Sequence, residues 1–106
     1  MKMEKIGTVW VDSGTVMVCD PCYTQSDGRS SLINVDDDIF ANLGDTSAIQ
    51  VGGADSGLAV AVRSGYGDGH YPVYALFKDH RVMGIFVDFN SIITNPGDGS
   101  WLAWPN

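Results

Sequence analysis

The chain has few of the side chains that long nucleic acids require, because only six of its 106 residues are Lys or Arg. Thirteen residues are acidic, and the formal net charge at neutral pH is -7. A surface that follows a phosphate backbone needs clustered Lys and Arg side chains. The composition therefore argues against long DNA or RNA as a partner. Two or three well-placed cations would still serve a small anionic ligand.

Long apolar segments are also lacking. No run approaches the roughly 20 residues that a membrane-spanning helix needs. The N-terminal residues lead into a strand-like pattern, without the apolar core of a signal peptide. We therefore expect no membrane partner and a cytoplasmic location.

Cysteine and histidine are scarce, with two of each. Cys19 and Cys22 have the spacing of a redox pair or of half a metal site, and they also fit two plain reduced residues. The sequence after them does not resemble the helix that stabilises a redox thiolate. His70 and His80 lie at opposite ends of one predicted strand, roughly 30 Å apart, so one zinc site cannot use both. We expect neither a metal nor a cofactor.

The fold class follows from composition and length. Thirteen glycines, only four prolines and many β-branched residues favour strands over helices. A chain of this length forms one domain, residues 1–106. The simplest arrangement is a mainly β fold, a compact antiparallel β-sandwich or partly open barrel with one short helix.

Two hairpins are predicted from turn chemistry. The alternating stretches 5–11 and 15–20 are joined by Asp12-Ser13-Gly14, which favours an N-terminal hairpin. The stretches 71–78 and 81–88 flank the two-residue connection Asp79-His80, which indicates a second one.

Between these hairpins lie the predicted helix and a central strand. Asn34 is a typical N-cap, three aspartates follow it in the first turn, and Gly44 stands where a C-terminal cap belongs. Residues 47–51 form another possible strand. Residues 58–63 are apolar at nearly every position, which predicts a central strand buried on both faces or nearly so.

A glycine-rich segment from Gly65 to Tyr74 follows that strand. Gly65, Gly67 and Gly69 alternate, which is more glycine than one hairpin turn requires. The excess fits a backbone that a ligand approaches closely. It fits equally a loop that needs flexibility and a tight Asp68-Gly69 turn.

Planar rings and a few arginines are distributed around this segment. Planar rings, glycine N–H groups and one or two arginines for phosphate are what a small nucleotide pocket requires. The alternative is that most of the rings fill the core of a small β domain. The rings are Trp10, Tyr66, Tyr71, Tyr74, Trp101 and Trp104, and the arginines are Arg63 and Arg81.

Signals for catalysis are weaker. Four aspartates lie near predicted strand ends: Asp12, Asp20, Asp68 and Asp88. Aspartates at such positions fit paired catalytic carboxylates and fit turn-forming residues equally well. No Gly-x-Ser-x-Gly elbow is present. We expect a protein that is not an enzyme, with a small hydrolase using an aspartate or Cys22 as an alternative.

Two motifs carry a family resemblance. Val11-Asp12-Ser13-Gly14 leads to Asp20-Pro21-Cys22-Tyr23, and the segment from Gly65 to Tyr74 reads GYGDGHYPVY. In order and spacing they resemble a family of small uncharacterised proteins of phages and their bacterial hosts. This type of phage protein is similar to the anti-CBASS sponges, which bind cyclic dinucleotide immune signals such as cGAMP and sequester them without cleavage.

The resemblance implies a non-catalytic nucleotide-binding protein acting in the host cytoplasm. By resemblance, the motif loop comprises Tyr66, Gly67, Asp68, Gly69, His70 and Tyr71. From the residues themselves we add Arg63 and Arg81 as phosphate contacts and Trp10 as a stacking partner. Because cations are few, we expect a homo-oligomer that pools them. An acidic protein-binding module, such as an immunity or inhibitor protein, is the main alternative.

Overall fold

A computed structural model of the chain describes residues 1–24, 32–52 and 57–99. It is mainly β, with two three-stranded antiparallel sheets and one short helix, which confirms the predicted fold class. The strands, in chain order, are β1 (Lys2–Val11), β2 (Thr15–Cys19), β3 (Ala48–Val51), β4 (Ala59–Arg63), β5 (Gly69–Lys78) and β6 (Arg81–Val87). Within the described ranges, no helix has the length and apolar character to cross a membrane.

The chain divides into two compact units. The first unit comprises Met1–Asp12 with Asp68–Asn106, and the second comprises Ser13–Gly67. The first unit contains the sheet β1-β5-β6, and the second contains the sheet β2-β4-β3. The predicted Trp101 and Trp104 lie outside the described residues.

The second predicted hairpin is confirmed. β5 and β6 pair antiparallel, and Lys78 lies opposite Arg81. Asp79 and His80 connect them with φ values of 51° and 66°. Positive φ at both central residues is the geometry of a type I′ turn, whose twist matches that of the two strands.

The predicted N-terminal hairpin is wrong. β1 pairs with β5 and β2 pairs with β4, so the Asp12-Ser13-Gly14 turn links two different sheets. β1 is ten residues long and β5 offers a partner of the same length, whereas β2 has only five residues. The turn residues allow the chain to change direction, but the ladder that satisfies the most backbone groups decides the partner.

The core of the second unit lies between β4 and the helical segment. Ala59 and Ala61 point inward from β4 and pack with Val51 of β3, with Ile39 and Leu43 of the helical segment, and with Ile33 just before that segment. β4 lies between β2 and β3, as predicted for a central strand. Its other face is less covered than predicted, because Val60 is 44% exposed.

The helical segment begins and ends where the sequence predicts. Asn34 Oδ1 accepts a hydrogen bond from Asp37 N at 3.1 Å, and Asn34 N donates to Asp38 Oδ2 at 2.7 Å. This reciprocal cap satisfies donors at the helix start. A π-helical segment, Val35–Phe40, continues into the α-helix α1 (Ala41–Leu43), and Gly44 follows with φ of 49°.

Candidate functional site

Ser64 connects the two sequence motifs within the second unit. Its backbone N donates to Gly14 O at 2.9 Å, and its side-chain hydroxyl donates to the carbonyl oxygen of Gly67. Ser64 is 1% exposed. A buried, hydrogen-bonded serine therefore holds the first half of the glycine-rich loop against the Asp12-Ser13-Gly14 turn.

The three alternating glycines each have a conformational reason within the chain. Gly65 and Gly67 have φ values of 81° and 80°, in the region that glycine adopts without strain. A Cβ on Gly69 would lie 3.3 Å from the ring of Tyr71. The glycine pattern is thus accounted for by backbone geometry at Gly65 and Gly67 and by the close ring at Gly69, and a ligand is not needed to explain it.

Trp10 and His70 form an exposed stacked pair in the first unit. They are direct partners across β1 and β5, so their side chains leave the same face of the sheet. The ring centroids are 4.5 Å apart and the ring planes differ by only 7°. Trp10 is 74% exposed, and His70 is also exposed. A large planar surface is therefore held in a fixed orientation toward solvent.

Two further polar residues share this face of the sheet. Thr8 lies two residues before Trp10 and is exposed. Lys5 is also exposed, and its partner across the two strands is Tyr74. Tyr74 is four residues after His70 in β5, so the two residues of β5 are on the same face of the sheet. Strand spacing places the Cα atoms of Thr8 and Lys5 about 7 Å and about 13 Å along the face from the stacked pair.

Sequence analysis did not identify Thr8 or Lys5. Alternation from Trp10 points to Thr8 directly. Lys5 would face the opposite side in a regular strand, but the register of β1 shifts between Lys5 and Gly7. Such a bulge reverses the facing of every residue beyond it, and it cannot be located from alternation alone.

The two predicted arginines lie in different units. Arg63, in the second unit, donates from Nε to Thr46 O at 2.9 Å and from its terminal nitrogen to the Gly44 carbonyl oxygen. It therefore tethers the end of the helical segment. Arg81, in the first unit, pairs with Lys78 at the far end of β5, about 26 Å from His70 by strand spacing.

The tyrosines of the motif have different environments. Tyr66 lies in the second unit and is 68% exposed. Tyr71 is only 8% exposed, and its ring meets Phe89 edge-on at 5.2 Å. Tyr71 is thus a core residue of the first unit, and Tyr66 is the motif tyrosine whose ring is open to a ligand.

Two of the predicted carboxylates organise their own loops. Asp20 Oδ1 accepts from Cys22 N at 2.9 Å and caps a 3₁₀ turn, Pro21–Tyr23. Asp88 is 1% exposed and accepts from the backbone N of Asn90, Ile92 and Ile93 at 2.8 to 3.1 Å. Both aspartates therefore have a structural role.

The protonation of Asp88 reflects this environment. Burial acts to raise the pKa of its carboxyl group, but the backbone N–H groups of Ile93, Ile92, Asn90 and Ser91 outweigh that effect. The net result is a pKa below the ordinary value for aspartate. The side chain is therefore held as a carboxylate.

Cys19 and Cys22 are free thiols, the first half-buried and the second exposed. Across residues 1–24, 32–52 and 57–99, no three His, Cys, Asp or Glu side chains are grouped so that they would hold a metal ion.

No protein-family model, curated protein or solved structure matches this chain.

Proposed function

We propose that this protein is a phage anti-defence protein that binds a cyclic dinucleotide immune signal and sequesters it without cleavage. The stacked pair, Trp10 and His70, is the observation on which the proposal rests. Its rings are parallel, fixed by neighbouring strands and exposed to solvent. The motif resemblance provides the ligand class.

The stacked pair supports binding of a nucleobase. The indole of Trp10 meets His70 on one face, and its 74% exposure leaves room for a planar group on the other. Stacking of a base on an aromatic side chain is worth about 1–3 kcal/mol and needs no particular base. Because the two rings are already ordered by each other, little side-chain entropy is lost when the base binds.

The phosphates of a cyclic dinucleotide need donors near the stacked base. The candidates on the same face are the imidazole N–H of His70, the hydroxyl of Thr8 and the ammonium group of Lys5. Arg81 lies about 26 Å along the sheet from His70, and Arg63 donates to Thr46 O in the second unit. A second copy of the chain would add a second set of cations, in keeping with the expected homo-oligomer.

Sequestration fits the residues better than turnover does. A sponge needs affinity and no reacting group. Asp20 and Asp88, two candidate acids, accept hydrogen bonds from their own loops. The motif loop adds Tyr66, whose exposed ring offers a further stacking surface in the second unit.

Thermal unfolding with a panel of cyclic dinucleotides tests this proposal. A ligand that binds only the native state at a hundredfold excess over Kd stabilises it by about 2.7 kcal/mol. For a domain of this size the melting temperature should rise by several degrees. Chromatography of the denatured complex should then recover the ligand intact, whereas hydrolysed ligand would favour the enzyme alternative.

Two variants identify the site. Trp10→Ala should abolish the shift, since it removes the stacking surface, while the melting temperature without ligand should change little because the ring is mostly exposed. Arg81→Ala is the matched control and should retain the shift, because Arg81 begins β6 opposite Lys78, at the far end of β5 from His70. The proposal is wrong if no cyclic dinucleotide of the panel changes the melting temperature of the wild-type protein at saturating concentration.

A second candidate function is supported by the distribution of charge. Residues 13–67 contain seven acids against two arginines, a formal charge of -5, whereas the first unit carries -2. Such an acidic unit fits a module that binds a basic protein. Association would then weaken steeply with added salt, and no cyclic dinucleotide would shift the melting temperature.

A further inference from the structure

β6 is an edge strand with an unusual row of exposed apolar side chains. In the part of the chain that the structure describes, β6 pairs only with β5. Val82, Met83 and Ile85 are 56%, 56% and 55% exposed. Edge strands of this kind are normally interrupted by charge or proline because their unpaired N–H and C=O groups attract another strand. Between Val82 and Val87, β6 has neither.

Gly84, in the middle of β6, lies beside a β-bulge and has open space where a side chain would be. Its φ is not positive, and a Cβ built on it would meet nothing within 4 Å. The extra residue of the adjacent bulge is Met83, because Leu76 pairs with Gly84 and Phe77 pairs with Val82. Glycine weakens a strand interior, and it is often found at a bulge or where another backbone approaches closely. The bulge accounts for a glycine here, and the missing side chain also leaves this edge open to the close approach of a second strand.

The charge of the strand suggests what that neighbour is. The whole chain carries -7, and the first unit carries -2 because it contains four of the six Lys and Arg residues. β6 itself has Arg81 and no acid. Two copies of an acidic protein therefore repel each other least when they meet along β6, because this strand brings no acidic side chain to the contact. An antiparallel pair of identical strands is also self-complementary, and its two-fold symmetry closes the assembly at a dimer.

We propose that two copies of this chain pair antiparallel along β6, with the two-fold axis near Gly84. This arrangement places Met83 of one copy across from Ile85 of the other and brings the two glycines together at the axis. It joins two three-stranded sheets into one of six strands. The pairing does not depend on any nucleotide ligand, so a failure of the proposed function would not affect it.

Sedimentation over a range of protein concentrations, from about 5 μM to about 500 μM, tests the pairing, because one pair of seven-residue strands gives a small interface and hence a weak dimer. The wild-type protein should change from monomer to dimer across this range. The dimer should strengthen between low and moderate salt, as the repulsion between two acidic chains is screened.

Ile85→Lys should raise the dimer dissociation constant at least about tenfold, since each dimer carries the new charge twice. Ile6→Lys is the matched control, because Ile6 is also 55% exposed but lies in β1, at the other edge of the same sheet. It should dimerise as the wild-type protein does. Circular dichroism should show that both variants fold.

Gly84→Val is a second test, with Gly7→Val in β1 as its control, because a Cβ at either position meets nothing within 4 Å. The first should weaken the dimer and the second should not. A wild-type protein that stays monomeric at every concentration overturns the proposal. So does an Ile85→Lys variant that dimerises as tightly as Ile6→Lys.

Discussion

Asp88 shows how one side chain can determine a loop. It follows β6 directly, and its two carboxylate oxygens accept from the backbone N of Asn90, Ile92 and Ile93. Hydrogen bonds to a charged acceptor are stronger than neutral ones, and a buried donor left without a partner is costly. The segment after β6 is therefore held by a single buried carboxylate.

We predict that Asp88→Asn lowers the free energy of unfolding at pH 7 by about 2–3 kcal/mol, because the amide removes the charge and turns one acceptor into a donor. The folded-state pKa of Asp88 lies below the unfolded value. Its stabilisation is therefore complete above the unfolded pKa, near 3.9, and is lost as the pH falls through the folded-state pKa.

Urea unfolding of both proteins between pH 7 and pH 2 measures this effect. The difference between wild type and Asp88→Asn should be constant from neutral pH down to about pH 5 and should shrink below about pH 4. The exposed Asp45→Asn should change stability by less than about 0.5 kcal/mol. An Asp88→Asn variant as stable as Asp45→Asn would contradict the assignment.

The role of each glycine in the glycine-rich segment could not be predicted from the sequence. The sequence indicated that the alternating glycines need a special explanation, and this is correct. Whether that explanation is positive φ, as at Gly65 and Gly67, or a close ring, as at Gly69, depends on neighbours that only the fold brings together. Composition cannot separate these cases from a ligand contact.

At the scale of elements, the β5–β6 hairpin was predictable and the N-terminal hairpin was not. Asp79-His80 joins its two strands in two residues, which is the length of a tight hairpin turn. The Asp12-Ser13-Gly14 turn has equally suitable chemistry, yet its strands pair elsewhere. Local turn propensity predicts a reversal, but pairing depends on the lengths and faces of distant strands.

The β5–β6 turn provides a test at this scale. His80 has φ of 66°, which costs a residue with a Cβ about 1 kcal/mol. We predict that His80→Gly raises the free energy of unfolding by about 0.5 kcal/mol. Glycine removes the strain of positive φ, but part of this gain is offset because glycine also raises the entropy of the unfolded chain. His80→Val should lower it, because β-branched residues avoid this conformation.

Chemical unfolding of both variants measures the two effects. Equal stability of His80→Gly and His80→Val would mean that the turn does not hold the positive φ described. The hairpin also contains β6, so the dimer should form in His80→Gly as in the wild-type protein.

At the scale of the whole molecule, charge is the dominant feature. A net charge of -7 on 106 residues favours solubility but opposes the compact state through self-repulsion. The unequal division, -5 and -2, concentrates that repulsion in residues 13–67.

We predict that raising the NaCl concentration from about 10 mM to about 150 mM increases the melting temperature by about 2–4 °C, because the Debye length falls from about 30 Å to about 8 Å. Differential scanning calorimetry of the Ile85→Lys variant, at a concentration where sedimentation shows it to be monomeric, separates this effect from dimerisation. A melting temperature that falls with salt would show that favourable charge pairs outweigh the repulsion.

The sequence by itself determined the mainly β class, the central position of β4, the β5–β6 turn and both ends of the helical segment. Each depends on local chemistry: strand-forming residues, an apolar run, a two-residue turn, and the caps Asn34 and Gly44. The tertiary structure decided which strands pair, and through the pairing it decided the stacked pair on which the candidate site is based. Trp10 and His70 are sixty residues apart in sequence and stack only because β1 pairs with β5. Long-range register is set by the summed pairing of whole strands, which no short motif encodes.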